Sequence, residues 1–178
     1  MSSSRSTLAE KTGVAFLLAQ IGAHAADLFA EKLKPLQLSP AHAGILRVIN
    51  AERGISQQRL AKLLRMYPSR MVSVLDELER LRLVERKASA TDRRVYALHL
   101  TARGRDKLEE IGRVARDHRN ALCAALSQQE QDMLATLLAK IAEEQRLTPG
   151  VHPGYRQIGR DDSDTCGTGP SRGSKKAK

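Results

Sequence analysis

The sequence predicts a mainly α-helical fold with one small β-hairpin, on three observations. Apolar residues recur three and four positions apart along most of residues 14–146, the spacing of a helix face. One short region, residues 84–100, switches instead to β-prone alternation. The composition supplies an aliphatic core, with no Trp and an aromatic share of only 3%, which suits packed helices better than a sandwich of aromatic-rich strands.

The first helix is read from Val14, Leu17, Leu18, Ile21, Ala25, Leu28, Phe29 and Leu33, a single apolar stripe ended by Pro35. Ser39-Pro40 predicts an N-cap followed by proline at the first helical position. The second helix runs through Ile45, Val48 and Ile49 and stops near Gly54. Ser56 is expected to cap a short third helix with Leu60, Leu63 and Leu64 inward. Pro68 cannot sit inside a helix, so it opens the fourth, with Met71, Val74, Leu75, Leu78 and Leu81 inward. Two short amphipathic helices joined by a few residues are a helix-turn-helix, here residues 56–82. Val84 to Lys87 and Val95 to Leu100 then form a hairpin whose polar, basic tip makes it a wing, residues 84–100. Thr101 caps a long fifth helix carrying Leu108, Ile111, Val114, Ala115, Leu122 and Leu126. Ser127-Gln128-Gln129-Glu130 matches a capping box and opens a last helix with Met133, Leu134, Leu137, Leu138 and Ile141. Residues 147–178, rich in Gly, Pro, Ser, Asp and Lys, are expected to be a disordered basic tail, since they bury too little to offset their chain entropy.

A chain of 178 residues suits one domain. Its formal net charge of +10 biases its partners toward polyanions, nucleic acid or an anionic membrane face. No run approaches eighteen consecutive apolar residues, and Met1 to Thr7 lack a secretory apolar core, so neither a spanning helix nor a signal is expected. Cys123 and Cys166 lie far apart, which argues against a structural disulfide and for a reducing cytoplasm. His118 and Cys123 share the fifth helix without the cluster a metal needs, and Cys123 reads as a buried small apolar residue. No phosphate loop, paired carboxylates or nucleophile motif points to an enzyme, and no cofactor is implied.

From about Leu38 to Gly104 the sequence resembles the MarR family of bacterial transcriptional regulators. The matching stretches are Leu38-Ser39-Pro40-Ala41, Ile55 to Ala61, Leu75-Asp76-Glu77-Leu78-Glu79, Leu83-Val84-Glu85-Arg86, Asp92-Arg93-Arg94 and Leu98 to Gly104. Each is weak alone; their order and spacing are specific. The resemblance implies a winged helix-turn-helix domain over residues 8–146. Its DNA-binding lobe would be 36–101, flanked by dimerisation helices at 8–35 and 102–146. It also implies a homodimer that commonly represses promoters and releases DNA when an effector acts, with ligands lodging between the dimer helices and the lobe. Two positions depart from the family pattern: Arg65 and Arg82 stand where glycines are common, so both must adopt a conformation glycine reaches more easily. The reactive cysteine that peroxide sensors of the family carry near the first helix is absent.

The fourth helix is the candidate recognition helix, with Pro68, Ser69, Arg70, Val72 and Ser73 expected to face base edges. At the wing, Asp92, Arg93 and Arg94 match the family's tip, and a narrow minor groove attracts an inserted guanidinium. Lys62, Arg65, Arg86 and Lys87 are candidate phosphate contacts. His24, His42 and Arg47 are candidates to meet an anionic or phenolic effector, against the plainer reading that they are hydrogen-bonded or solvent-facing. Together these predict a cytoplasmic homodimer that represses transcription from an inverted-repeat operator and binds double-stranded DNA and a small aromatic or anionic effector, but no membrane. An architectural DNA binder with little sequence preference is the alternative. An adaptor whose winged helix docks proteins is a third, which the basic wing and Arg70 argue against.

Overall fold

The computed structural model describes residues 13–88 and 96–151. Helix α1 (Val14–Leu33) passes into a 3-10 turn, Lys34–Leu36, that contains Pro35, and Gln37 in the left-handed region redirects the chain. Then come α2 (Pro40–Ala51), α3 (Gln57–Leu64) and α4 (Pro68–Arg80). The hairpin β1 (Val84–Ala88) and β2 (Tyr96–Leu100) follows, and α5 (Ala102–Leu122) and α6 (Gln128–Glu144) complete the described chain. The caps fall where hydroxyls permit them: Ser39, Ser56, Thr101 and Ser127 each accept the backbone N–H three residues on. Ser127 and Glu130 complete the expected capping box. Arg65 ends α3 at φ 52° and Arg82 follows α4 at φ 58°, so both arginines take the glycine-like conformation.

The core lies mainly within residues 36–101, with Leu33 and Ile111 joining it from the flanking helices. Ile45, Leu46 and Ile49 of α2, Leu60 and Leu64 of α3, and Met71, Leu75 and Leu78 of α4 are fully buried together with Leu33 and Leu98. Leu81 packs half-buried at its edge, and Leu63 is also only half-buried. β1 and β2 are antiparallel, with Val84 opposite Leu100 and Arg86 opposite Leu98. The other edge of β2 is also held. Leu98 N–H donates to the Ile55 carbonyl at 3.0 Å, Gly54 N–H donates to the Leu98 carbonyl at 3.2 Å, and Ser56 bridges Ala97. The strand leading into α3 thus fixes the hairpin to the helix-turn-helix.

Three expectations need correction. Leu126 is not part of the fifth helix, which stops at Leu122: Leu126 N–H turns back to the Cys123 carbonyl, and the Gln131 side chain donates to the carbonyls of both Cys123 and Leu126. Residues 147–151 do not behave as the expected tail: Leu147 N–H donates to the Ala142 carbonyl, Val151 packs on the core and Arg47 donates to the Gly150 carbonyl; the rest of that expectation, residues 152–178, lies outside the described residues. Finally, Val14–Leu36 is long and apolar enough, at mean hydropathy 1.2, to cross a membrane by composition. Counting consecutive apolar residues misses this, because Gln20, His24, Asp27 and Glu31 interrupt the run. None of that stretch's apolar window is buried within one chain.

Candidate nucleic-acid interface

Helix α4 carries its core residues on one side, and the 3.6-residue repeat decides what remains for solvent. Pro68, Ser69, Val72 and Ser73 are exposed on the outward side of its first two turns, with Asp76 following on the same side. Pro68 starts the helix at its first turn, where the missing N–H is not needed. Ser73 Oγ donates to the Ser69 carbonyl at 3.3 Å, so its hydroxyl is held along the helix. Tyr67, at the N-cap and 72% exposed, belongs to the same surface. Sequence reasoning passed over it; an aromatic preceding Pro68 at the helix start was the available signal.

Arg70 departs from the expected placement. It is half-buried rather than outward, and its Nε is shielded with no hydrogen-bond partner among the described residues. The cause is angular: Arg70 lies one residue from the core residue Met71 and four from Val74, which puts it on the flank of α4 toward α2. Its charge reaches His42 there.

His42 also stands elsewhere than expected. It is buried in the third position of α2, where Ser39 N–H donates to Nδ1 at 3.1 Å and His42 N–H donates to Ser39 Oγ at 3.4 Å. A histidine has taken the glutamate position of a capping box. With Nδ1 accepting, Nε2 carries the proton and meets Glu77 Oε2 of α4 at 3.2 Å. His42 is therefore a strut between α2 and α4. The spacing Ser39-Pro40-Ala41-His42 was the signal for it. Arg47 is exposed and bonded to the Gly150 carbonyl, and His24 is exposed on α1. The structure does not bring these three together.

Burial lowers the pKa of His42 below its ordinary 6.5, outweighing the carboxylate of Glu77, and Arg70 pushes the same way. The unfolded chain thus takes up this proton at a higher pH than the folded chain does. The contribution of neutral His42 is complete above the unfolded value and is lost as pH falls through the folded one. Melting temperature is expected to drop between about pH 7 and 5 more steeply in the native chain than in His42→Gln, where glutamine can keep the helix cap without titrating. Parallel melting curves across that range check this; equal slopes would refute it.

The candidate phosphate contacts divide. Lys62 and Arg65 are exposed beside the turn. Arg86 is not available: its Nη2 donates to Asp76 Oδ1 at 2.8 Å, Nη1 donates to Glu79 Oε2, and its backbone N–H donates to Glu79 Oε1 at 3.1 Å. Only 22% exposed, it ties β1 to α4. Lys87 pairs with Glu85 at 2.8 Å on the opposite face of the strand, because neighbouring strand residues alternate. The wing residues Asp92, Arg93 and Arg94 lie outside the described residues, between strands that end at Ala88 and resume at Tyr96. Cys123 is a half-buried free thiol.

One further group gathers between α1 and α5. The rings of Phe29 and His118 lie 5.5 Å apart, and His118 Nδ1 is shielded with no partner among the described residues. Burial lowers its pKa, and the nearby charges of Lys32 and His24 act in the same direction.

A family model described as the MarR family matches residues 36–95. A protein of Thauera aromatica, assigned as a candidate transcriptional regulatory protein for the hcr operon, is 34% identical over 112 residues, covering 63% of this chain and 68% of its own. Among solved structures, the transcriptional repressor CouR bound to a 23-mer DNA duplex is similar with a TM-score of 0.65 and 30% identity, over 73% of this chain and 92% of that one. Wild type MarR from E. coli in its apo form gives a TM-score of 0.66 and 25% identity, over 72% of this chain and 96% of that one.

Proposed function

Because the chain belongs to the MarR family of transcriptional regulators, DNA-binding proteins and not enzymes, we propose that it is a homodimeric repressor that binds an inverted-repeat operator and is released by a small molecule. The observation that carries the DNA reading is the exposed N-terminal face of α4, with Ser69, Val72 and Ser73; the sequence between the two strands adds Arg93 and Arg94. Such a helix end enters a major groove while the wing reaches the adjacent minor groove. Lys62 and Arg65 supply phosphate contacts from the turn. Such a regulator acts where the chromosome lies, in the bacterial cytoplasm.

Dimerisation is supported by apolar surface left open on the flanking helices. Val14, Phe16 and Ile21 of α1 and Met133, Leu137 and Ile141 of α6 are all exposed within a single chain. Exposed apolar side chains in this number on two flanking helices are uncommon on a monomer and call for a partner. A second copy places two recognition helices about one helical turn apart on DNA. For the effector, the corner formed by His24, Lys32, Phe29 and His118 supports an aromatic acid better than the dispersed trio His24, His42 and Arg47.

The test is a gel shift with DNA from upstream of the chain's own gene, against excess random duplex, then repeated with a panel of aromatic acids. Preferential binding to an inverted repeat, lost on adding one of the acids, is expected. Equal affinity for random DNA would favour the architectural alternative, to which the net charge of +10 lends support. Arg94→Ala is expected to weaken operator binding by on the order of tenfold, equivalent to about 1.4 kcal/mol. Unchanged affinity would remove the wing from the mechanism.

A further inference from the structure

We propose that the cleft between the end of α2, the back of the hairpin and the first turn of α5 is a binding site for a small organic anion carrying at least two negative charges, as carboxylates or phosphates. The cleft measures about 410 Å³ and is lined by Asn50, Arg53, Glu85, Lys87, His99 and Arg105. Its cations come from three separate elements. Arg53 follows α2, Lys87 lies on β1 and Arg105 on α5.

The charges do not cancel within the cleft. Glu85 is the one carboxylate among the described residues that line it, and it is held by Lys87 at 2.8 Å. That leaves two guanidinium groups to be answered. Arg105 is oriented by donating Nη1–H to the Leu100 carbonyl at 3.0 Å, which uses one of its five donors. A planar guanidinium on each of two walls suits carboxylate or phosphate oxygens in paired hydrogen bonds. Ile49 and Leu100 give the cleft an apolar base that room for a carbon skeleton requires.

The position distinguishes a free anion from the DNA backbone. Arg86 faces α4, so Glu85 and Lys87, its neighbours in β1, face the other way, as does His99 opposite Glu85. The cleft therefore opens on the hairpin side turned from the recognition helix. An anion bridging Arg53 and Arg105 against the Glu85–Lys87 face of β1 would couple the end of α2 and the hairpin to the flanking helix α5.

The experiment titrates the full chain, without DNA, with citrate and with pyrophosphate, against sodium chloride at matched ionic strength. Heat of binding and the imidazole NMR signals are followed. Saturable binding with movement of the His99 signals is expected, weakened at least tenfold in Arg53→Gln. A response equal to that of chloride, or an unchanged affinity in Arg53→Gln with its melting temperature preserved, overturns the proposal. So does a third result: no small-anion binding, together with a loss of DNA affinity and a shallower salt dependence in the variant, which would make Arg53 a phosphate contact. Because binding is read without DNA, failure here leaves the operator reading untouched.

Discussion

Replacing Gly104 with alanine is expected to destabilise the fold by about 2–3 kcal/mol, the upper part of the range for forcing a methyl group into a packed contact. A Cβ at this position would stand 2.0 Å from the carbonyl oxygen of Leu83 and 2.9 Å from its carbonyl carbon. Those are backbone atoms and cannot swing aside. The Leu83 carbonyl is moreover pinned, accepting from Thr101 N–H at 3.1 Å, while Thr101 Oγ1 donates to the Arg82 carbonyl at 2.7 Å and caps α5 through Gly104 N–H at 2.9 Å. Relief requires moving the first turn of α5 off the base of the hairpin, which would loosen the joint between the DNA-binding lobe and the flanking helix. Alanine's better helix propensity, about 1 kcal/mol over glycine, offsets only part of this. Gly112, in the same helix, is the internal control: its added Cβ would meet only the tip of Arg116 at 3.6 Å. Thermal unfolding should show Gly104→Ala melting several degrees lower and Gly112→Ala unchanged or slightly higher. Equal melting temperatures for the two variants would show that the close approach is not a constraint.

What could be read from the sequence follows from how local each determinant is. Helix starts were legible at Ser39, Ser56, Thr101 and Ser127 because a cap acts over three residues. The left-handed conformation of Arg65 and Arg82 was legible because position in the motif demanded it, whatever residue stood there. The end of α5 was not. Cys123-Ala124-Ala125-Leu126 contains nothing that breaks a helix, and the stop depends on Gln131 bonding back from α6. At the candidate site, the outward face of α4 followed from periodicity for Ser69, Val72 and Ser73, yet failed for Arg70, which lies at the boundary of the core stripe. A long side chain at such a boundary folds either way, and the neighbouring α2 decides. Arg86 misled for a related reason: its partners lie 7 and 10 residues earlier, on another element, and no local pattern announces a pairing of that kind.

Arg86 also supplies the second large effect. Arg86→Gln is expected to weaken operator binding by more than tenfold and to destabilise the fold by about 1–2 kcal/mol, the value for a buried ion pair discounted for partial solvent access. Removing the guanidinium leaves the Asp76 and Glu79 carboxylates without their shared cation, with Asp76 on the exposed side of α4 that carries Ser69, Val72 and Ser73. The loss in DNA affinity then has two sources: uncompensated negative charge, and a hairpin no longer held against the helix. Lysine cannot substitute, because one ammonium does not span two carboxylates as the forked guanidinium does. A direct phosphate contact would behave otherwise, since Arg86→Lys would retain most of its binding. The double variant Arg86→Gln with Asp76→Asn separates the two accounts. If Arg86 acts as a brace, removing its partner's charge restores part of both stability and affinity, with a coupling energy on the order of 1 kcal/mol. If Arg86 touches the duplex, the second substitution rescues nothing that depends on that contact, and the brace between wing and recognition helix must be sought in other residues.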